Sequence, residues 1–231
     1  MTEILDGIRQ AVQLILSGDP ALYDIIRLSL GVTGLALVLA TLLGVPVGAA
    51  LGLSRLRARA LVTVLLYTGM GLPPVVVGLF VYLLLSRSGP LGLLGWLFTP
   101  AAMVVAQVII AFPLSAGLTM TAVQRVDPSL RLQARSLGAT RFQEVRTILG
   151  EARLGVVAAS VAAFGGIISE VGAVILVGGN IEGKTRVLTT AIVLSTRTGE
   201  FGLAIALGLI LLTIAFIVNG GMLLLQRNAT D

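Results

Sequence analysis

The chain has 231 residues, of which 56% are hydrophobic and only 12% are charged, and its mean hydropathy is +1.02. Because soluble domains carry about a quarter of charged residues, this composition excludes a soluble domain and indicates a polytopic, all-α membrane protein. Cysteine and histidine are absent, which excludes disulfides, thiolate or imidazole catalysis and the usual zinc or haem ligands. The net charge of +5 does not indicate nucleic-acid binding, because the cations cluster beside apolar runs. We therefore expect no cofactor, no metal and no nucleic-acid partner.

Residues 1–20 predict an amphipathic helix that lies in the outer membrane interface. Gly18-Asp19-Pro20 ends the helix. Five apolar side chains fall on one helical face, namely Ile4, Ile8, Val12, Ile15 and Leu16. A signal peptide needs cations at its start, where this chain has Glu3 and Asp6. The alternative is a frayed tail.

Residues 21–231 form the predicted transmembrane domain. Five apolar runs are long enough to cross a hydrocarbon core of about 30 Å as helices; they are 25–53, 61–85, 100–123, 156–178 and 201–225. Gly44, Gly48 and Gly52 follow a small-xxx-small spacing that predicts close helix packing in the first run. Pro73-Pro74 and Pro113 predict kinks in the second and third.

The arginines predict the orientation. Arg55, Arg57 and Arg59 follow the first run, and six more arginines follow the third, between Arg125 and Arg153. By the positive-inside rule both loops are cytoplasmic. Five spans then place the N terminus outside and the C terminus, with Gln226 and Arg227, in the cytoplasm.

The loop 127–155 carries signals for two short helices. Asp127 is a good N-cap with Pro128 at the first helical position, and Gly138 is a natural C-terminal stop. Thr140 and Gln143 form a capping box for the second helix. Such a basic hairpin either docks a soluble partner or rests on anionic lipid.

A phosphate-loop pattern, G-x-x-x-x-G-K-[ST], occurs at residues 178–185. A nucleotide site of this kind needs a preceding strand and an Asp for magnesium. Here a membrane span precedes the pattern, no Asp occurs between Asp127 and Asp231, and the predicted topology puts the loop outside. We therefore interpret the pattern as unrelated to nucleotide binding.

The same region predicts a translocation pathway. Glu170 lies near mid-membrane in the fourth run, where an ionisable group is costly and is a functional candidate. Residues 187–198 are apolar but too short to span, and such a broken half-helix is tolerated where it is buried or lines a cavity. We expect the hydroxyls and backbone amides of this region to line the pathway, and Glu170 to orient its neighbours. The alternative is that Glu170 and the threonines only stabilise their own helices. The candidate pathway residues are Ser169, Glu170, Gly172, Asn180, Thr185, Thr189 and Thr190.

The chain resembles the membrane subunits of binding-protein-dependent ABC importers of the type I fold. Their cytoplasmic signature (Glu-Ala-Ala, three residues, Gly, nine residues, Ile-x-Leu-Pro) matches this chain strictly at Ala134, Gly138 and Ile148. The segments 70–78, 169–173 and 178–192 resemble the oxyanion branch of the family, the tungstate and molybdate permeases. The resemblance runs from about Leu16 to Leu225.

This resemblance implies a permease subunit of a prokaryotic inner membrane that imports a tetrahedral oxyanion, tungstate first, with molybdate or sulfate as alternatives. It implies a homodimer, two separate ATP-binding subunits that drive alternating access, an extracytoplasmic oxyanion-binding protein, and no ATPase site in this chain. The implied coupling residues are Ala134, Arg135, Gly138, Ala139 and Thr140. Two other classes stay open: a secondary transporter, and a structural subunit of a membrane complex.

Overall fold

A computed structural model describes residues 2–54 and 59–227. In the described ranges all regular structure is helical, with no strand. The helices are α1 (Thr2–Ser17), α2 (Pro20–Leu53), α3 (Arg59–Met70), α4 (Pro74–Leu85), α5 (Pro100–Gln124), α6 (Pro128–Ser136), α7 (Arg141–Glu151), α8 (Arg153–Ile168), α9 (Gly172–Gly178), α10 (Leu188–Arg197) and α11 (Phe201–Arg227). The predicted all-α fold is confirmed, and Arg55 and Arg57, on which part of the orientation prediction rests, lie outside the described residues.

Among the described residues, three helices are long and apolar enough to cross a membrane: α2, α5 and the Phe201–Gly221 part of α11. The count rises to five if two broken pairs, α3 with α4 and α7 with α8, each form one span. The predicted fourth span, 156–178, is not one helix, because α8 ends at Ile168 and α9 begins only at Gly172.

Proline explains the first break. Pro73 and Pro74 have no backbone N–H, and their rings clash with a preceding helical turn. Met70 therefore ends α3, and Pro74 takes the first position of α4. The sequence predicted a kink at this site, and the structure shows that the helix is fully interrupted there. Pro113, by contrast, lies inside the continuous helix α5.

The chain divides into two compact units. The first takes the described residues of 1–36, 73–107 and 167–221, and the second those of 37–72, 108–166 and 222–231. In the first unit, α4 and α9 pack side by side because small residues allow close approach. A Cβ built on Gly78 would lie 2.6 Å from Ala173 Cα, and one on Gly172 would lie 2.5 Å from Val75 Cγ2. The N-terminal halves of α4 and α9 therefore contact each other.

Helix α1 also belongs to the first unit. It confirms the predicted N-terminal helix, and Gly18, with φ +67°, follows its end. Buried Gly7 packs against Ile205 of α11, while the predicted apolar face at Ile8, Val12 and Ile15 stays 44 to 51% exposed. That exposure is what a helix in a membrane interface requires, and the interfacial location stays a prediction.

In the second unit, the glycine spacing of α2 makes the predicted close packing. Cβ atoms built on Gly44, Gly48 and Gly52 would lie 2.7 to 2.8 Å from side-chain atoms of α5, namely Ser115 Oγ, Thr119 Cβ and Val123 Cγ1. Larger side chains would force these helices apart, so the three glycines set their separation.

Candidate coupling hairpin and translocation segment

Helix α6 begins as the sequence predicts. The Asp127 carboxylate accepts a hydrogen bond of 2.8 Å from the Ser129 backbone N–H, and Pro128 occupies the first helical position. Hydrogen bonds from the Ser129 backbone and hydroxyl lower the pKa of Asp127 below its ordinary value. The cap is therefore ionised at neutral pH and complements the helix dipole.

The turn between α6 and α7 is a Schellman motif centred on Gly138. Gly138, at φ +78°, donates to Arg135 O at 3.0 Å, and Ala139 donates to Ala134 O at 3.0 Å. Thr140 and Gln143 then make the predicted capping box, with both reciprocal bonds present. All five predicted coupling residues thus take part in the turn, Ala134 and Arg135 through their carbonyls, Gly138 and Ala139 through their N–H groups, and Thr140 as the N-cap of α7.

The hairpin is held by a buried carboxylate that sequence reasoning missed. Glu144 of α7 is 3% exposed and forms ion pairs with Arg131 and Arg135 of α6. Arg135 Nε lies 2.9 Å from Glu144 Oε2, so the side chain of this predicted coupling residue forms an ion pair within its own chain. The signal was present in the sequence as the single carboxylate of the first turn of α7.

The ion pairs lower the pKa of Glu144 from its ordinary value of 4.5, chiefly through the hydrogen bond from Arg135, although burial opposes the shift. A carboxylate with a lowered folded-state pKa stabilises the fold above its unfolded pKa. The contribution of Glu144 is therefore fully present above pH 4.5 and is lost as the pH falls through its lower folded value.

The outside of the hairpin carries three large apolar side chains among polar ones. Leu132, Leu137 and Phe142 are 66, 88 and 76% exposed. These three side chains, which we call the hairpin apolar patch, lie in the middle of α6, directly before Gly138 and at the second position of α7. Exposed large hydrophobic groups on such a hairpin indicate a contact surface for another protein or for lipid.

Glu170 lies in the break between α8 and α9 and is 8% exposed. Its Oε1 accepts a hydrogen bond of 2.8 Å from Ala173 N, so the side chain caps α9. Its backbone carbonyl accepts a bond of 3.0 Å from the Thr189 hydroxyl of α10. Both contacts fit the predicted orienting role, because they tie the interruption to α9 and α10, the two short helices that flank the loop 179–187.

The other threonine hydroxyls of the predicted pathway also bond to backbone. Thr185 Oγ1 donates to Gly178 O at 2.6 Å and accepts from Ile181 N at 2.9 Å. Thr190 donates to Val187 O at 3.1 Å. The structure thus brings Glu170 and Thr189 together directly and uses Thr185 and Thr190 to shape the loop. The remaining predicted residues lie in the same stretch: Ser169 in the break, Gly172 at the start of α9, and Asn180 in the left-handed conformation at φ +51°.

The phosphate-loop pattern has no phosphate-loop geometry. Residues 178–185 lie between two helices, α9 and α10. The backbone N–H groups of Lys184, Thr185 and Arg186 all donate to Ile181 O, at 2.9 to 3.2 Å. These N–H groups therefore close a local turn and are not directed at a ligand, as a phosphate cradle requires.

Gln107 is a further residue of this region that sequence reasoning missed. It is 4% exposed in α5, and its Nε2 donates to Ile167 O at 3.0 Å. That carbonyl belongs to the last turn of α8 and also accepts a bond of 3.3 Å from the backbone N–H of Glu170, so Gln107 supports the end of the helix at the break. A lone amide inside a long apolar run was the available signal.

Comparison with known proteins agrees with this geometry. Residues 44–231 match the family model described as the binding-protein-dependent transport system inner membrane component. The tungstate uptake system permease protein TupB of Peptoclostridium acidaminophilum is 41% identical over 227 residues, which cover 98% of this chain and 100% of that protein. A probable anion ABC transporter permease protein of Haloferax volcanii is 45% identical over 203 residues, which cover 86% and 88%.

Among solved structures, the inward-facing MetNI methionine ABC transporter matches with a TM-score of 0.72 at 18% identity, over 92% of this chain and 99% of that one. Interrupted spans and a capped hairpin with an exposed apolar patch thus define a multi-pass transport subunit of the inner membrane. The chain belongs to the family of inner membrane components of binding-protein-dependent transport systems. The fold and family predictions are confirmed.

Proposed function

We propose that this chain is the permease subunit of an ABC importer for tungstate. The observation that carries the proposal is the 41% identity to a tungstate uptake permease along essentially the whole length of both chains. The identity to a probable anion permease supports an anionic substrate independently. The chain contributes the membrane pathway and no ATPase site of its own, while a soluble binding protein outside delivers the oxyanion.

The hairpin 127–155 couples transport to ATP hydrolysis. Two copies of the chain form a twofold homodimer, and each presses its hairpin apolar patch into one of two ATP-binding subunits in the cytoplasm. The rigid turn at Gly138 and the exposed Leu132, Leu137 and Phe142 support this role, because a docked element must transmit displacement without deforming. Closure of the ATP-binding subunits then turns the pathway outward.

The orientation follows from the hairpin. With 127–155 in the cytoplasm, the N terminus lies outside and the C terminus inside. The break at Ser169 to Val171 and the loop 179–186 then belong to the outer half of the pathway. Glu170 holds α9 in place and does not bind the doubly negative substrate, which its carboxylate would repel. The hydroxyls of Thr185, Thr189 and Thr190 donate to backbone carbonyls and so shape this part of the pathway.

Uptake of radiolabelled tungstate tests the proposal. The chain is co-produced with its ATP-binding subunit and binding protein in proteoliposomes, with ATP present or absent inside. We expect uptake only with ATP and binding protein, competed by molybdate more strongly than by sulfate, since molybdate is nearly the same size and charge as tungstate. ATP-dependent uptake of molybdate or sulfate without tungstate would assign one of those substrates instead. Failure of the chain to bind an ATP-binding subunit would favour a structural subunit, and uptake driven by an ion gradient would favour a secondary transporter.

A further inference from the structure

We infer that Arg131 is a positioning residue that transmits the displacement of the hairpin apolar patch to α2. The inference rests on the proposed function, because it assumes that an ATP-binding subunit moves the hairpin. The side chain of Arg131 links its own helix to two others. It belongs to α6, pairs through Nε with Glu144 of α7, and donates from Nη1 to Leu53 O of α2 at 3.1 Å.

The contact with α2 is chemically favourable. Leu53 is the last residue of α2, so its carbonyl has no helical donor. A guanidinium both satisfies that oxygen and complements the negative end of the helix dipole. Because Arg131 is only 28% exposed and its fork is rigid, a movement of α6 displaces the end of α2 as well.

Glu144 fixes the orientation of the Arg131 side chain. The buried carboxylate holds Arg131 on one side and Arg135 on the other, so the guanidinium of Arg131 has one orientation. Arg135 is 53% exposed, and its guanidinium hydrogen-bonds to Glu144 through Nε and Nη2. Arg131 and Arg135 thus share the carboxylate, but Arg131 also reaches α2.

The hairpin has a second attachment that does not involve arginine. Ile148 of α7 is 3% exposed and packs in a cluster with Ala49 of α2, Val123 of α5 and Ala152. Removing the Arg131 side chain therefore leaves α7 seated by apolar contacts. The change affects how α6 moves with α2 and does not remove the hairpin from the protein.

The test compares R131Q with R135Q as a matched control, since each variant loses one arginine from Glu144. Both are assembled with the ATP-binding subunit and binding protein in proteoliposomes, and the tungstate imported per ATP hydrolysed is measured. We expect R131Q to lower this ratio by about fivefold or more, the lower range for coupling between sites, with the KM for ATP unchanged. R135Q should lower the ratio less than R131Q does, because it loses a partner of Glu144 but keeps the contact with Leu53.

An equal ratio in the two variants, or a wild-type ratio in R131Q, would overturn the inference. If R131Q does not assemble, R131K carries the test: its single ammonium replaces a fork that makes two contacts, and a wild-type ratio in R131K would overturn the inference equally. The wild-type arm tests the proposed function separately, because absence of ATP-dependent uptake there refutes that function whatever the variants do.

Discussion

Replacing Gly78 by alanine should destabilise the protein through one added methyl group. The new Cβ would lie 2.6 Å from Ala173 Cα and 3.2 Å from Ala173 O, both atoms of α9. Carbon atoms in good contact are about 3.5 to 4.0 Å apart, so α4 and α9 must separate by roughly 1 Å. Overpacking of this kind costs about 1 to 3 kcal/mol. Helix α9 starts three residues after Ser169 and is capped by Glu170. Since both are predicted pathway residues, we expect tungstate uptake to fall as well.

The matched control is Gly31→Ala, the same change in a spanning helix. A Cβ built on Gly31 meets no atom within 4 Å among the described residues. Stability is measured as the midpoint temperature at which detergent-solubilised protein loses its monodisperse size-exclusion peak, and uptake is normalised to inserted protein. We expect a lowered midpoint only for Gly78→Ala. Equal midpoints and equal uptake in the two variants would refute the close packing of α4 on α9.

Three further predictions concern single residues. Gly138→Leu should leave the protein inserted and dimeric but abolish ATP-dependent uptake, because a side chain at φ +78° is penalised by about 1 kcal/mol or more and misdirects the turn; normal uptake would contradict the coupling role. Glu170→Gln should retain much of the uptake, since its amide oxygen can still accept from Ala173 N, whereas Glu170→Ala leaves that N–H unsatisfied at about 1 to 3 kcal/mol and should lose most of it. Equal failure of both variants would show instead that the negative charge is essential. Lys184→Ala should cause at most a mild defect in uptake, and neither form of the isolated chain should bind ATP in equilibrium dialysis; detectable ATP binding that the variant loses would reinstate the nucleotide site.

Local signals predicted the helix ends well. Asp127, Gly138 and the Thr140–Gln143 capping box act through neighbours within a few residues, so their spacing is sufficient to recognise them. The glycine spacing of α2 likewise predicted a close contact, because three glycines four residues apart share one helical face. The spacing did not identify the partner helix, α5, which lies about 70 residues further along the chain.

Long-range partners account for what the sequence analysis missed. The apolar run 156–178 has no proline to mark its interruption, and the break depends on a capping carboxylate, Glu170, and on Gln107 some 60 residues away. The role of Glu144 was hidden for a similar reason. A glutamate in the first turn of a helix is expected at the surface as a favourable dipole partner, and its burial follows only once α6 folds back on α7.

The pairing of α4 with α9 also bears on the order in which the protein is assembled. Seven residues of helix span about 10 Å, so α9 is too short to insert into a bilayer or to persist as a helix by itself. Its carbonyls at Val177 and Gly178 are tied to Phe98 and Thr185, which come from two different loops. Biosynthetic insertion therefore places α4 first, and α9, which is made almost a hundred residues later, is held in place only once it packs on α4. Until then the interruption at Glu170 lacks the support of α4.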